Sequence, residues 1–139
     1  MGGCLEVVDY LRGSSVWPTS ETWSGSLLAL ETSEEQPSST AVTRMLRACA
    51  AAGMFTDAAA LLMGRPCTDD LAQMEAQDAA ILNFVREELR RPDLPVVTRL
   101  DFGHTSPVFT FPLGVMASLD CNAQEFRIDE AGTAPRDSS

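Results

Sequence analysis

Residues 26–37 read Ser26-Leu27-Leu28-Ala29-Leu30-Glu31-Thr32-Ser33-Glu34-Glu35-Gln36-Pro37, and they decide the fold class. A short, uninterrupted apolar run breaks abruptly into a polar, acidic segment, the pattern of a buried strand feeding a loop. Ser38 or Ser39 then stands where a helix N-cap is wanted, because a serine hydroxyl can accept from the otherwise unpaired first-turn N–H groups. The helix that follows, at about residues 40–52, presents Val42, Met45, Leu46 and Cys49 at i, i+3, i+4 and i+7, and Gly53 is its natural stop. A strand, a loop and an amphipathic helix in immediate succession predict a mixed arrangement, α/β or α+β.

The flanking sequence extends the same alternation. Leu5 to Leu11 has the spacing of a short helix ended by Gly13, and Ser14 to Ser26 is a Ser/Thr/Trp/Pro loop. Periodicity does not separate helix from strand over Ala58 to Met63, but Gly64-Arg65-Pro66 suits a strand leaving a sheet. Leu71 to Arg90 is helical, acidic early at Glu75 and Asp78 and basic late at Arg86 and Arg90, as the helix dipole favours. Pro92 and Pro95 stop it. Leu94–Leu100, Val108–Leu119 and Glu125–Ile128 read as strands, and the polar tail over 132–139 as disordered. The expectation is one mixed α/β domain over residues 1–131, with at least four strands and two main helices, at about 40–52 and 71–91.

Composition limits what such a domain can do. A chain of 139 residues with 45% hydrophobic content can bury a real core. Its net charge of −10, with every basic residue an arginine, argues against nucleic acid and against an anionic membrane surface. No apolar run approaches the roughly 20 residues of a membrane span, and the first residues lack a secretory signal, so a cytoplasmic location is expected. Cys4, Cys49, Cys67 and Cys121 are widely spaced and form no C-x-x-C pair; free thiols are expected, with no metal site and no cofactor.

The residue types that carry chemistry are few. Asp101-Phe102-Gly103-His104-Thr105-Ser106-Pro107 holds the only histidine, on a turn between two strand-like runs. Histidine titrates nearest neutrality and is the usual proton shuttle. Glu31 ends the apolar run of the opening stretch, and strand ends are where rigid scaffolds present functional side chains. A glutamate on one ring nitrogen would fix the tautomer and leave the other nitrogen for a nucleophile. The bland alternatives are a satisfied turn histidine and, for Glu31, Glu34 and Glu35, a solvated acidic segment ahead of a helix. Trp17 and Trp23 are expected to staple their loop to the core rather than line a substrate cleft, Ile81, Leu82, Val85 and Leu89 to be core, and Arg65 to pair with a nearby acid such as Asp69 or Asp70 in preference to a substrate carboxylate.

An ordered set of short motifs resembles the C-terminal domain of the LD-carboxypeptidase family of serine peptidases, nearest the branch that contains the microcin C self-immunity peptidase and alongside the muramoyltetrapeptide carboxypeptidases. Gly2-Gly3-Cys4-Leu5-Glu6 resembles that domain's opening, and Gly13-Ser14-Ser15 with Trp17-Pro18 its next loop. Leu28-Ala29-Leu30-Glu31 resembles the strand that ends in the family's catalytic glutamate. Arg44-Met45-Leu46 with Gly53 resembles its first long helix, and Leu62-Met63-Gly64-Arg65 the next strand end. Phe102-Gly103-His104-Thr105 resembles the catalytic histidine turn, and Pro112-Leu113-Gly114 the strand entry after it. Each motif is weak alone; their order, from Gly2 to Glu130, is specific.

The resemblance implies a layered β/β/α domain and a Ser-His-Glu triad, with Glu31 as the orienting carboxylate and His104 as the general base. It implies hydrolysis of L,D-amide bonds of murein peptides or of a peptidyl-nucleotide antibiotic, without metal or organic cofactor. Two positions depart from the family pattern: Thr32 follows the glutamate and Ser106 stands in the histidine turn, where acidic residues are common. No serine lies in a nucleophile elbow, and Ser106 reads as a turn residue. By the resemblance the nucleophile belongs to an N-terminal domain that the 139 residues do not include. The chain alone is therefore expected to be inactive, with that domain and a peptide substrate as partners and a homodimer as a further possibility. The alternative is a binding or assembly module that keeps the fold without the chemistry.

Overall fold

The computed structural model describes residues 1–133. It comprises β1 (Gly2–Cys4), α1 (Leu5–Tyr10), α2 (Ser20–Trp23), β2 (Leu27–Glu31), α3 (Ser39–Ala51), β3 (Ala60–Gly64), α4 (Leu71–Asn83), β4 (Val96–Leu100), β5 (Ala117–Asp120) and β6 (Glu125–Ile128). The chain divides into two compact units, Met1–Phe109 and one beginning at Thr110.

The first unit is a four-stranded sheet in the order β1-β2-β3-β4, every pair parallel. Parallel neighbours need crossovers, and α3 and α4 supply two of them. Strands that follow one another in simple order through right-handed crossovers place their helices on one face; accordingly α3 packs against α4, and α1 against α3. Leu28, Leu30, Leu61 and Met63 point into that helix-covered core with Leu5, Val42, Leu46, Cys49, Ile81, Phe84 and Val85. By strand alternation Ala29 and Glu31 lie on the opposite face.

Local chemistry explains the helix limits. Ser38 caps α3 by accepting from Ala41 N, as the sequence predicts. Asp70 caps α4 by accepting from Ala72 N and Gln73 N, which sequence reading does not single out. The expected long second helix is regular only to Asn83 and continues as a wider π-type turn over Phe84–Glu88. That turn leaves Phe84 and Val85 buried. Trp17 and Trp23 do staple the first loop: their rings meet at 5.5 Å, and Trp17 Nε1 donates to Ala52 O. The expected helix over Leu5–Leu11 is preceded by the short strand β1, whose two glycines lack the side-chain pattern that would announce it. Gly2 is obligatory there, because a Cβ would lie 1.9 Å from Ala29 O.

In the second unit β5 and β6 form an antiparallel pair, with Leu119 opposite Phe126. Phe111 meets Phe126 edge-on at 5.6 Å. The strand expected over Val108–Leu119 is realised only from Ala117. Pro112 has no N–H to give a ladder, and Gly114 sits at φ +78°, so the segment before Ala117 cannot extend as a strand. The tail expected to be disordered lies, from residue 134, outside the described residues.

Candidate active site

In an all-parallel sheet the carboxyl ends of the strands share one edge, and that edge is where open α/β sheets bind ligands. Here it collects Cys4, Glu31, Gly64 and the turn that follows Leu100. The two residues selected from sequence, 73 positions apart, meet there: His104 Nδ1 lies 2.7 Å from Glu31 Oε2, and the His104 backbone N–H donates to the same oxygen at 3.3 Å. One carboxylate oxygen thus holds both the ring and the backbone of the histidine turn.

Two glycines make this approach possible. Glu31 and Gly64 are neighbours in register, and a Cβ on Gly64 would come within 2.7 Å of Glu31 Cβ and of Phe102 O. Gly103 adopts φ +90°, and a Cβ there would lie 2.5 Å from both Glu31 Cγ and Glu31 Oε2. Sequence reading places these glycines in motifs without assigning them this task. The available signal was a glycine directly before the histidine and another at the end of the neighbouring strand.

The two carboxylates that reach the imidazole differ in kind. Glu31 is buried, with 9% of its side chain exposed, whereas Glu34 is 69% exposed and reaches His104 Nε2 at 3.3 Å. Hydrogen bonding to Glu31 raises the His104 pKa above its ordinary value; a small loss of hydration opposes this, and the charges of Glu31, Glu34 and Glu6 add to the rise. Glu6 ties down the loop between them, since its Oε1 accepts from both the N–H and the hydroxyl of Ser33. Burial works against ionisation of Glu6, but the hydrogen bonds from Ser33 prevail and hold its carboxyl below the usual range.

A proton on Nδ1, donated to the buried Glu31 carboxylate, holds the ring from that side, and Nε2 faces the exposed Glu34. Among the described residues no serine, threonine or cysteine hydrogen-bonds to Nε2. Ser106 engages Arg65 through its carbonyl oxygen. Arg65 does not take Asp69 or Asp70, as expected from sequence, but Asp101 at 2.8 Å; β3 and β4 are adjacent strands, so their ends bring the two together. Cys4 donates to Glu6, and its thiol pKa is raised, first by burial. Among the described residues no cluster of His, Cys, Asp and Glu is arranged to hold a metal ion. No helix there is long and apolar enough to cross a membrane.

Comparison with known proteins sets this geometry in context. The family model for the LD-carboxypeptidase C-terminal domain matches residues 1–119. The microcin C7 self-immunity protein MccF of Escherichia coli is 27% identical over 130 residues, which is 94% of this chain and 36% of MccF. An MccF-like protein from Streptococcus pneumoniae, solved in complex with AMP, superposes with a TM-score of 0.76 at 28% identity, over 93% of this chain and 39% of that one. A muramoyltetrapeptide carboxypeptidase from Oxalobacter formigenes gives a TM-score of 0.64 at 27% identity, over 94% of this chain and 41% of that one. The chain therefore spans well under half the length of the relatives it matches.

Proposed function

The chain belongs to the LD-carboxypeptidase C-terminal domain family, and from that premise we propose that Glu31 and His104 form the general-base half of a Ser-His-Glu hydrolase site. The observation that carries the reading is the 2.7 Å contact between His104 Nδ1 and the buried Glu31 carboxylate, made possible by glycines at 64 and 103.

The chemistry follows from that geometry. A serine supplied from outside the described residues attacks an amide carbonyl while His104 Nε2 accepts its proton. Glu31 holds the ring and stabilises the imidazolium. The proton then passes to the leaving nitrogen, the C–N bond breaks, and water releases the acyl group by the same relay in reverse. Glu34 leaves Nε2 when the serine arrives, since an exposed ion pair is worth little. The substrates are L,D-amides of murein peptides or a peptidyl-nucleotide amide, and the four unpaired thiols fit work in a reducing cytoplasm. Residues 1–139 alone are inactive on this reading.

The test supplies a nucleophile domain from a relative, fused or in trans, and follows release of the C-terminal amino acid from a muramoyl tetrapeptide by chromatography. Hydrolysis appears with the domain present and falls by about 10⁴-fold in His104→Ala and markedly in Glu31→Ala. Activity that survives His104→Ala would sink the assignment. Complementation that fails with every family nucleophile domain, while the chain still binds the peptide, would favour a binding module instead.

A further inference from the structure

A cavity of about 280 Å³ opens beside the histidine turn, lined by Gln36, Arg65, Cys67, Thr68, Asp69, Thr105 and Ser106. It lies at the low end of small-molecule pockets, the size for a compact ligand. Three of its wall residues are chemically incomplete. Arg65 is fixed by Asp101 at Nε and by the Ser106 carbonyl at Nη2, which leaves Nη1 without a partner among the described residues. Asp69 makes no ion pair or hydrogen bond there. Thr105 is more than nine-tenths buried, and its hydroxyl has no hydrogen-bond partner. A half-used guanidinium and an unpaired carboxylate in one wall call for a ligand that carries both signs.

We propose that this cavity is the subsite for the amino acid released by hydrolysis, with its carboxylate on Arg65 and its amino group toward Asp69. The proposal rests on the hydrolase reading and gives it a direction. Thr105 and Ser106 directly follow His104, so a residue held here lies beside the histidine turn. A carboxypeptidase must recognise a terminal carboxylate, and a pre-positioned arginine fork does so with two donors. As the C–N bond breaks, the leaving nitrogen takes the proton carried by His104. The free amine then gains a second proton from solvent and becomes an ammonium, which Asp69 favours. Arg65 is thus a specificity residue; because it also anchors the Ser106 carbonyl, it braces the turn.

The test is a chemical-shift titration of the ¹⁵N-labelled chain with D-alanine, which needs no nucleophile and so stands apart from the hydrolysis assay. The expected result is a saturable shift of the Arg65, Cys67, Thr68, Thr105 and Ser106 amides, with a Kd on the order of 1 mM. D-alaninamide, which lacks the carboxylate, binds about tenfold or more weaker, and Arg65→Met weakens D-alanine equally. Asp69→Asn leaves the brace intact; it weakens D-alanine but not propionate. The single His104 ring resonance reports whether the turn survives each substitution. Absence of shifts with D-alanine, or equal affinity for D-alaninamide, overturns the subsite, as does an unchanged Kd in both variants. Hydrolysis that still depends on His104 would then leave the triad reading standing.

Discussion

Replacing Gly103 with alanine tests the central structural claim, that Glu31 reaches His104 only because nothing projects from residue 103. Two penalties combine. The backbone at φ +90° disfavours any L side chain, at a cost of about 1–2 kcal/mol. The new Cβ would also stand 2.5 Å from Glu31 Cγ and Oε2, where ordinary contact begins at 3.4 Å, so something must move by about 0.9 Å. Gly53 separates the two terms. It has nearly the same torsion, φ +89°, with nothing within 4 Å of its would-be Cβ. Gly53→Ala should therefore show the torsional cost alone, and Gly103→Ala that cost plus about 1–3 kcal/mol of overlap. Urea unfolding followed by tryptophan fluorescence gives both values.

The displacement has a second readout. A shift of about 1 Å in Glu31 or in the turn breaks the 2.7 Å contact, and the His104 pKa falls back toward the ordinary value of about 6.5. The chain has one histidine, so its ring resonance needs no assignment. In a complemented enzyme the same shift should cost about 10²-fold in kcat. If Gly103→Ala is no less stable than Gly53→Ala and its imidazole still titrates high, the glycine slot does not exist.

Three further outcomes rest on the same geometry. The raised His104 pKa means that the folded chain holds this proton more tightly than the unfolded one; its contribution to stability is complete below the unfolded imidazole value and fades as pH rises through the folded one. A titration of the ring should show Glu31→Gln lowering the pKa more than Glu34→Gln, and the acid limb of any pH–rate profile should lie above that of an ordinary histidine. Asp70→Ala removes the cap on α4 and should cost about 1 kcal/mol, or about 3–5 °C in Tm by calorimetry. Cys49 is fully buried, and burial pushes its thiol up to about 11; alkylation read by peptide mass spectrometry should label exposed Cys121 in the native chain and reach Cys49 only on unfolding.

The parts of the fold legible in sequence are those set by local rules. Apolar runs without polar interruption, as at Leu27–Leu30 and Leu61–Met63, are what a parallel sheet buried on both faces requires. Ser38 and the Val42–Cys49 stripe describe α3 almost to the residue. What escaped is set by neighbours distant in the chain. β1 is invisible because a three-residue strand with two glycines has no pattern of its own; it exists only as a partner for Ala29–Glu31. The partner of Arg65 was misread because proximity in sequence pointed to Asp69, while adjacency of β3 and β4 supplies Asp101. The site itself was only half legible. Residue type and position at strand ends pick out Glu31 and His104, but their contact depends on two missing β-carbons, which no spacing rule detects.

The two carboxylates on His104 show how such a site stays both rigid and available. Were both buried, the imidazole would be locked as a cation between two anions, and no lone pair would remain to accept a proton. Were both exposed, neither would fix the ring. The structure divides the work by burial: Glu31, buried beside the glycine slot, holds Nδ1 at 2.7 Å and the backbone N–H besides, whereas Glu34 meets Nε2 at 3.3 Å from solvent. On the proposed general-base role, an incoming hydroxyl competes only against the weaker, hydrated pair, so the face that would accept its proton is the one that opens. That asymmetry, more than the presence of a glutamate and a histidine, is what supports the proposed role of this edge of the sheet.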